Sequence, residues 1–105
     1  MQYVVMAEHS ANLCPTGNAQ TRAILKEGVK HIPALAQKLG IEILTVRVFG
    51  PDHIIMMIAE ASDIEAVRSF ILESGFIQWN TTKVHATWSL EEALEKVEGL
   101  TPIFR

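Results

Sequence analysis

Several features that would narrow the class of this protein are scarce or missing in its sequence. Cys14 is the single cysteine among 105 residues, so an intramolecular disulfide is excluded and a reducing cytoplasm is indicated. The formal net charge is −3, and no basic stripe interleaved with aromatic residues argues for nucleic-acid binding. No apolar run approaches the roughly 18 residues of a membrane span, and the apolar start lacks the basic region of a signal peptide. We therefore expect a cytoplasmic protein with neither a nucleic-acid nor a membrane partner.

Apolar residues, by contrast, are abundant and make up 49% of the chain. A length of 105 residues suffices for one domain, residues 1–105, built around a single two-layer core. A domain of this size has a large surface relative to its volume, so not all of these apolar residues can lie in its own core. The composition therefore predicts that part of the surface is covered by another molecule.

Hydrophobic periodicity and turn residues divide the chain into four strands and three helices. The strands are predicted over residues 2–7, 41–49, 53–61 and 76–88, and the helices over 19–39, 62–74 and 89–97. Pro33 lies inside the first helix and predicts a kink or a break near His31. Gly40 is typical of the residue that ends such a helix.

Two capping patterns mark the starts of the later helices. Ser62 is followed three residues later by Glu65, and Ser89 is followed in the same way by Glu92. In this spacing the serine side chain and the glutamate side chain each satisfy a free backbone N–H of the first turn. The sequence therefore predicts a capping box at the start of both helices.

This order of elements predicts an α+β protein with a ferredoxin-like βαββαβ fold and an additional C-terminal helix. Two interlocked β-α-β units with right-handed crossovers give an antiparallel sheet of order 4-1-3-2, with both main helices on one face. The third strand is apolar at every position from 54 to 58, so both of its faces require burial. The simplest solution is a homodimer in which a second copy covers the open sheet face. The alternative is a small core with exposed apolar residues.

Three segments add a resemblance to this topology: NLCPT at 12–16, GPDH at 50–53 and SGFIQWNTTKVHATWSLEEAL at 74–94. With the βαββαβ order, they resemble the dimeric α/β-barrel superfamily, and within it a branch of small single-domain proteins that brings no assigned reaction. Other members include antibiotic-biosynthesis-type monooxygenases, muconolactone isomerases and stress-responsive barrel proteins. The resemblance implies a homodimer with a cavity for a small molecule, and it permits cofactor-free oxygenation, isomerisation or decarboxylation. It implies no particular substrate or cofactor.

Residues capable of chemistry are expected to meet at one edge of this sheet. The first two strands run in one direction and the other two in the opposite direction. His9 at the end of the first strand, His53 at the start of the third and Trp79 near the start of the fourth therefore share an edge. Arg47, near the end of the second strand, joins them, and Cys14 lies in the loop that follows His9.

The two histidines allow more than one interpretation. His9 and His53, with Cys14 or Glu8 as a third ligand, would suit zinc or iron. As catalytic residues they would suit proton transfer near neutral pH. Cys14 precedes a helix, whose dipole favours a thiolate, and is a candidate nucleophile or ligand contact. The structural alternative is two unrelated histidines at loop ends and a small buried cysteine.

Arg47 and Trp79 complete the candidate ligand-binding residues. Arg47 could bind a ligand carboxylate through two hydrogen bonds, or extend to solvent from an edge strand. Trp79 could form a wall of the site, or anchor the core or a dimer interface. No motif names a reaction. The functional hypotheses are a small-molecule-binding protein with histidine-assisted chemistry, a non-catalytic dimeric sensor or accessory module, and a metal-binding protein using His9 and His53.

Overall fold

A four-stranded antiparallel sheet and three helices form this α+β structure, a computed structural model that describes residues 1–104. The strands are β1 (Gln2–Glu8), β2 (Glu42–Val48), β3 (Ile54–Glu60) and β4 (Thr81–Ala86), and the helices are α1 (Ala19–Leu39), α2 (Ile64–Glu73) and α3 (Leu90–Glu98). The arrangement is consistent with the ferredoxin-like fold expected from the order of elements. In residues 1–104, no helix combines the length and the apolar composition that crossing a bilayer requires.

The strands lie in the order β2-β3-β1-β4, which has the same neighbours as 4-1-3-2 counted from the opposite edge. β1 pairs antiparallel with β3 and with β4, and β3 also pairs antiparallel with β2. Ala7 lies opposite Ile55 on one side and Thr82 on the other. This register brings the end of β1 beside the starts of β3 and β4.

The core lies between one face of the sheet and helices α1 and α2. Alternate residues of β1 and β3 point toward the helices, and the sheet and helix residues that are buried together include Tyr3, Val5, Met57, Ala59, Ala36, Val67, Phe70 and Ile71. The intervening residues of the same strands occupy the other face, where Val4, Met6, Met56 and Ile58 are half-buried. Apolar side chains therefore occupy both faces of the central strands.

α1 is one continuous helix through Pro33, so of the predicted kink or break near His31 the break is wrong. Proline removes a single backbone donor from the helix. Ile32 and Leu35 pack against the core on either side of it, and this burial offsets the lost hydrogen bond. Gly40 ends the helix in the left-handed conformation, with φ of 69°, as predicted.

The capping predictions have different outcomes at the two helices. Ser89 and Glu92 form the predicted box, with Glu92 N donating to Ser89 Oγ at 3.1 Å and Ser89 N donating to Glu92 Oε1 at 3.3 Å. At α2 the cap is Asp63, whose Oδ1 accepts from Ala66 N at 2.9 Å. The helix starts one residue later than Ser62 predicts, because the aspartate carboxylate provides an equally good acceptor.

β4 is much shorter than the predicted strand over 76–88. Gly75, with φ of 87°, reverses the chain after α2, and Phe76–Gln78 form a 3₁₀ turn rather than a strand. The turn is held by Asn80, which donates its backbone N–H at 3.0 Å and its side-chain Nδ2 at 3.1 Å to the carbonyl of Phe76. Trp79 therefore lies in a turn before β4, where it is free to point into the core.

α3 extends away from the rest of the fold. None of its residues is buried, and Leu90, Leu94 and Val97 are each more than half exposed. The radius of gyration is 16.6 Å, whereas a compact domain of this length has about 13 Å. The helix thus presents an apolar stripe that its own sheet does not cover.

Candidate functional site

The end of β1 and the start of β3 bring His9 and His53 side by side. His9 N donates to the carbonyl of His53 at 3.1 Å, which extends the strand pairing by one step beyond Glu8 and Ile54. The two imidazole rings are edge-to-face, with centroids 5.4 Å apart. The structure thus confirms that the two histidines meet at one edge of the sheet.

His53 has a backbone conformation that is unusual for a residue other than glycine. Its φ of 57° and ψ of 39° are left-handed, and it directly follows the 3₁₀ turn Gly50–Asp52. The backbone N–H of His53 donates to the carbonyl of Gly50 at 3.3 Å. This conformation costs about 1–2 kcal/mol for a residue with a Cβ. The fold maintains it where the side chain enters the cluster.

Asn80 fixes the orientation of His9 and its neutral tautomer. Asn80 Nδ2 donates to the carbonyl of Phe76, so its Oδ1 is the atom that lies 3.0 Å from His9 Nδ1. An amide oxygen only accepts hydrogen bonds, so His9 Nδ1 must carry the proton. In the neutral ring the lone pair is then on Nε2. The sequence does not single out Asn80, since it predicts a strand over 76–88 and not the turn in which Asn80 lies.

Trp79 closes one side of the cluster and is only 4% exposed. Its ring centroid lies 5.0 Å from that of His9 and 5.8 Å from that of Phe76. It packs with Ala7 and Ile55 in a small apolar group below the histidines. The tryptophan is therefore both a wall of the site and a part of the core, and the two interpretations are compatible.

Cys14 reaches the same place from the loop between β1 and α1. Its side chain is buried, with 6% exposure, and Sγ accepts a hydrogen bond from Thr16 Oγ1 at 3.1 Å. This hydrogen bond, a further one from the Thr16 backbone and the nearby His53 ring together lower the pKa of the Cys14 thiol from its ordinary value, against the opposing effect of burial. The loop between β1 and α1 thus places beside the histidines a thiol whose pKa is lower than that of a free cysteine.

His9, Cys14 and His53 together form one cluster of potential ligands. One ligand atom from each residue can be chosen so that all three lie within 4.8 Å of one another. His9 Nε2 and His53 Nδ1 are buried and have no hydrogen-bond partner in residues 1–104. Burying a ring nitrogen without a hydrogen-bond partner costs free energy of folding. Both atoms are therefore suited to binding an ion or a ligand.

Two other predicted residues lie outside this cluster. Arg47 lies near the same edge of the sheet as the histidines, as predicted, but it pairs with Met56 and is exposed on the opposite face, so its expected place in the site is wrong. A register shift between Ile43 and Thr45 changes the alternation of β2 before it reaches Arg47. Glu8, the alternative third ligand, is also exposed. It directly precedes His9, so its side chain points to the opposite face of the sheet.

A large cavity extends from the cluster into the layer between the sheet and the helices. Its volume is about 1030 Å³, and His9, Cys14 and His53 contribute to its lining. Most of its other lining side chains are aliphatic or aromatic, among them Val5, Ile32, Met57 and Phe70. Small-molecule sites usually have this character: an apolar cleft with few polar groups that converge on one region.

Comparisons with known proteins add a distant structural likeness and nothing on function. No protein-family model matches the chain, and no curated protein matches it. Among solved structures, it is similar to protein Atu4242 from Agrobacterium tumefaciens, with 13% identity and a TM-score of 0.46 over 86% of this chain and 96% of that one. A likeness this distant carries no functional information, so the site is judged on its own geometry.

Proposed function

We propose that this protein binds a small, predominantly apolar molecule in the cavity between the sheet and the helices. The observation that carries the proposal is the cavity itself, about 1030 Å³ in volume and lined mainly by apolar side chains. That volume is at the upper end of the range of about 300–1,000 Å³ for sites of drug-sized ligands. The His9–Cys14–His53 cluster supplies the polar contacts at one end of an otherwise apolar space.

The chemistry at that end fits a ligand with one polar group attached to an apolar body. In metal-free protein, His9 Nε2 can accept a hydrogen bond in the tautomer that Asn80 fixes, so a hydroxyl or N–H of the ligand is a suitable partner. His53 Nδ1 is the second buried nitrogen that has no hydrogen-bond partner among the described residues, and it can act with His9 in proton transfer. The reaction class that this pair of histidines suits is histidine-assisted isomerisation or oxygenation.

We further infer that the protein works as a homodimer of the dimeric α/β-barrel type. Two apolar surfaces that residues 1–104 leave uncovered support this: the sheet face with Val4, Met6, Met56 and Ile58, and the stripe on α3. A second copy would cover both at once, since each copy offers one sheet face and one helix. The alternative module with no catalytic role would share this assembly and differ in having no ligand in the cavity.

A cavity-filling substitution tests ligand binding directly. Val29 lines the cavity and is 52% exposed, so Val29→Trp can extend its ring into the cavity without disturbing buried packing. We expect naphthalene, a neutral apolar probe, to raise the Tm of the native protein by mass action and to have no such effect on V29W. The measurement is thermal unfolding followed by circular dichroism at increasing probe concentration.

Leu72→Trp is the matched control, because Leu72 is an aliphatic residue 63% exposed on α2 that does not line the cavity. L72W should respond to naphthalene like the native protein. Equal stabilisation of V29W and L72W would show that the probe binds elsewhere, and the proposed use of the cavity would be wrong.

A further inference from the structure

We infer that His9, Cys14 and His53 form a binding site for one zinc ion per chain, through His9 Nε2, Cys14 Sγ and His53 Nδ1. The inference deepens the proposed function by naming what the polar end of the cavity holds. It rests on the proposed function only in assuming that a small molecule in the cavity would contact the metal. Zinc binding itself can be measured with the cavity free of any ligand.

The two unpartnered nitrogens are the first reason. His9 Nε2 and His53 Nδ1 are both buried, and neither has a hydrogen-bond partner in residues 1–104. Proteins seldom leave such atoms unpaired without a bound ion, a water molecule or a ligand to satisfy them. The two histidines flank neighbouring strands, and one ring nitrogen of each lies within 4.8 Å of the other and of Cys14 Sγ, which indicates a shared ligand.

The second reason is the hydrogen bond behind His9. Metal-bound histidines usually donate their other ring N–H to a carboxylate or a carbonyl, which fixes the ring and its tautomer. His9 has this arrangement, since its Nδ1 proton is directed to Asn80 Oδ1 at 3.0 Å. Asn80 is itself 7% exposed and is held by the Phe76 carbonyl, so its amide orientation is fixed before any metal arrives.

The donor atoms identify the class of metal. Two imidazole nitrogens and one thiolate suit zinc, whereas magnesium and calcium require oxygen ligands that this cluster does not include. Zinc bonds of about 2.0–2.3 Å place tetrahedral ligand atoms roughly 3.3–3.6 Å apart. One ring nitrogen of each histidine and Cys14 Sγ lie within 4.8 Å of one another, so side-chain movements of about 1 Å complete the site.

Binding is a simple exchange of a proton for the ion. Zinc takes a lone pair from each neutral imidazole and one from the Cys14 sulfur, and the thiol proton leaves to solvent. Three protein ligands leave a fourth tetrahedral position open, as in zinc sites that bind water or substrate. All three ligand residues also line the cavity, so that position is accessible to a molecule bound there.

Titration of metal-free protein with Zn²⁺, followed by isothermal calorimetry and native mass spectrometry, tests the site. We expect one Zn²⁺ per chain, and at least about 100-fold weaker binding in each of His9→Gln, Cys14→Ser and His53→Gln, since each removes a direct ligand and even outer-shell changes cost 10–100-fold. The matched controls are His31→Gln and His85→Gln, because both histidines are exposed and lie outside the cluster. They should bind within about twofold of the native protein.

Co²⁺ provides a second measurement that does not depend on any variant folding correctly. In the native protein it should give the visible bands of tetrahedral cobalt and a near-ultraviolet band from sulfur-to-cobalt charge transfer. The inference is overturned if no stoichiometric metal binds, if the sulfur band is absent, or if H31Q or H85Q weakens binding as much as H53Q does. Zinc binding that persists while V29W and L72W respond equally to naphthalene would overturn the proposed function and leave the metal site intact.

Discussion

At the residue scale, the hydrogen bond from the Thr16 hydroxyl helps to lower the pKa of the Cys14 thiol. This hydrogen bond to Sγ at 3.1 Å stabilises the thiolate more than the thiol and is the largest of the causes that lower the pKa of Cys14. In metal-free protein we therefore expect alkylation by iodoacetamide to reach its half-maximal rate at a lower pH than in the unfolded chain. Thr16→Val removes the donor, so the midpoint should move to higher pH.

The measurement is the pH dependence of the alkylation rate, and it is unambiguous because Cys14 is the only cysteine. Thr16→Ser keeps the hydroxyl and should keep the native midpoint. A midpoint that is the same in T16V and in T16S would show that the side-chain hydrogen bond does not set the acidity of this thiol.

Other residues show where sequence reasoning works at this scale. His9, His53 and Trp79 were brought together by strand direction alone, because the ends of antiparallel neighbours must meet. The sequence does not predict the face on which Arg47 lies, since a one-residue shift in the pairing of β2 moves every later side chain to the opposite face. The contact of Asn80 with His9 cannot be predicted from the sequence, because it depends on a turn that hydrophobic patterning does not reveal.

At the scale of elements, the close approach of α1 to the end of α2 depends on Gly28. A Cβ at this position would lie 2.7 Å from the carbonyl oxygen of Ser74, which belongs to the backbone and cannot turn away as a flexible side chain can. Alanine in a helix gains about 1 kcal/mol over glycine, but relieving this clash requires a shift of the helices that costs typically 1–3 kcal/mol. We therefore expect Gly28→Ala to lower the free energy of unfolding rather than raise it.

Urea unfolding followed by circular dichroism measures the change. Gly17→Ala is the control, because its added Cβ would have no neighbour within 4 Å, and its free energy of unfolding should change by less than about 0.5 kcal/mol. An increase in the stability of G28A would mean that helix propensity outweighs the close approach, contrary to the packing described.

The elements themselves were largely accessible from the sequence, and the exceptions have local causes. The end of α1 follows from Gly40 and the start of α3 from the Ser89–Glu92 box, since both act through neighbouring backbone groups. The length of β4 was overestimated because Phe76 and Trp79 suit a strand by composition. Tertiary packing at Gly75 places them in a turn instead.

At the scale of the whole molecule, two apolar surfaces have no partner within residues 1–104. Met56 lies in the middle of the open sheet face, opposite Met6 on β1 and Arg47 on β2. Leu94 and Val97 on α3 are exposed by 52% and 62%. If a second copy covers both surfaces, a carboxylate at the centre of the sheet face must be desolvated on association, at a cost of several kcal/mol that pairing with Arg47 on the neighbouring strand repays only in part. We therefore expect Met56→Glu to convert a dimeric native protein to monomer.

Sedimentation velocity measures the mass in solution, and Leu72→Glu is the control because it adds the same charge to an aliphatic position on α2, away from the sheet face. L72E should remain dimeric. Circular dichroism must show that M56E is still folded, which is expected since Met56 lies outside the buried core. A native protein that sediments as a monomer, or a folded M56E that stays dimeric, would show that the apolar sheet face is not the surface through which two copies associate.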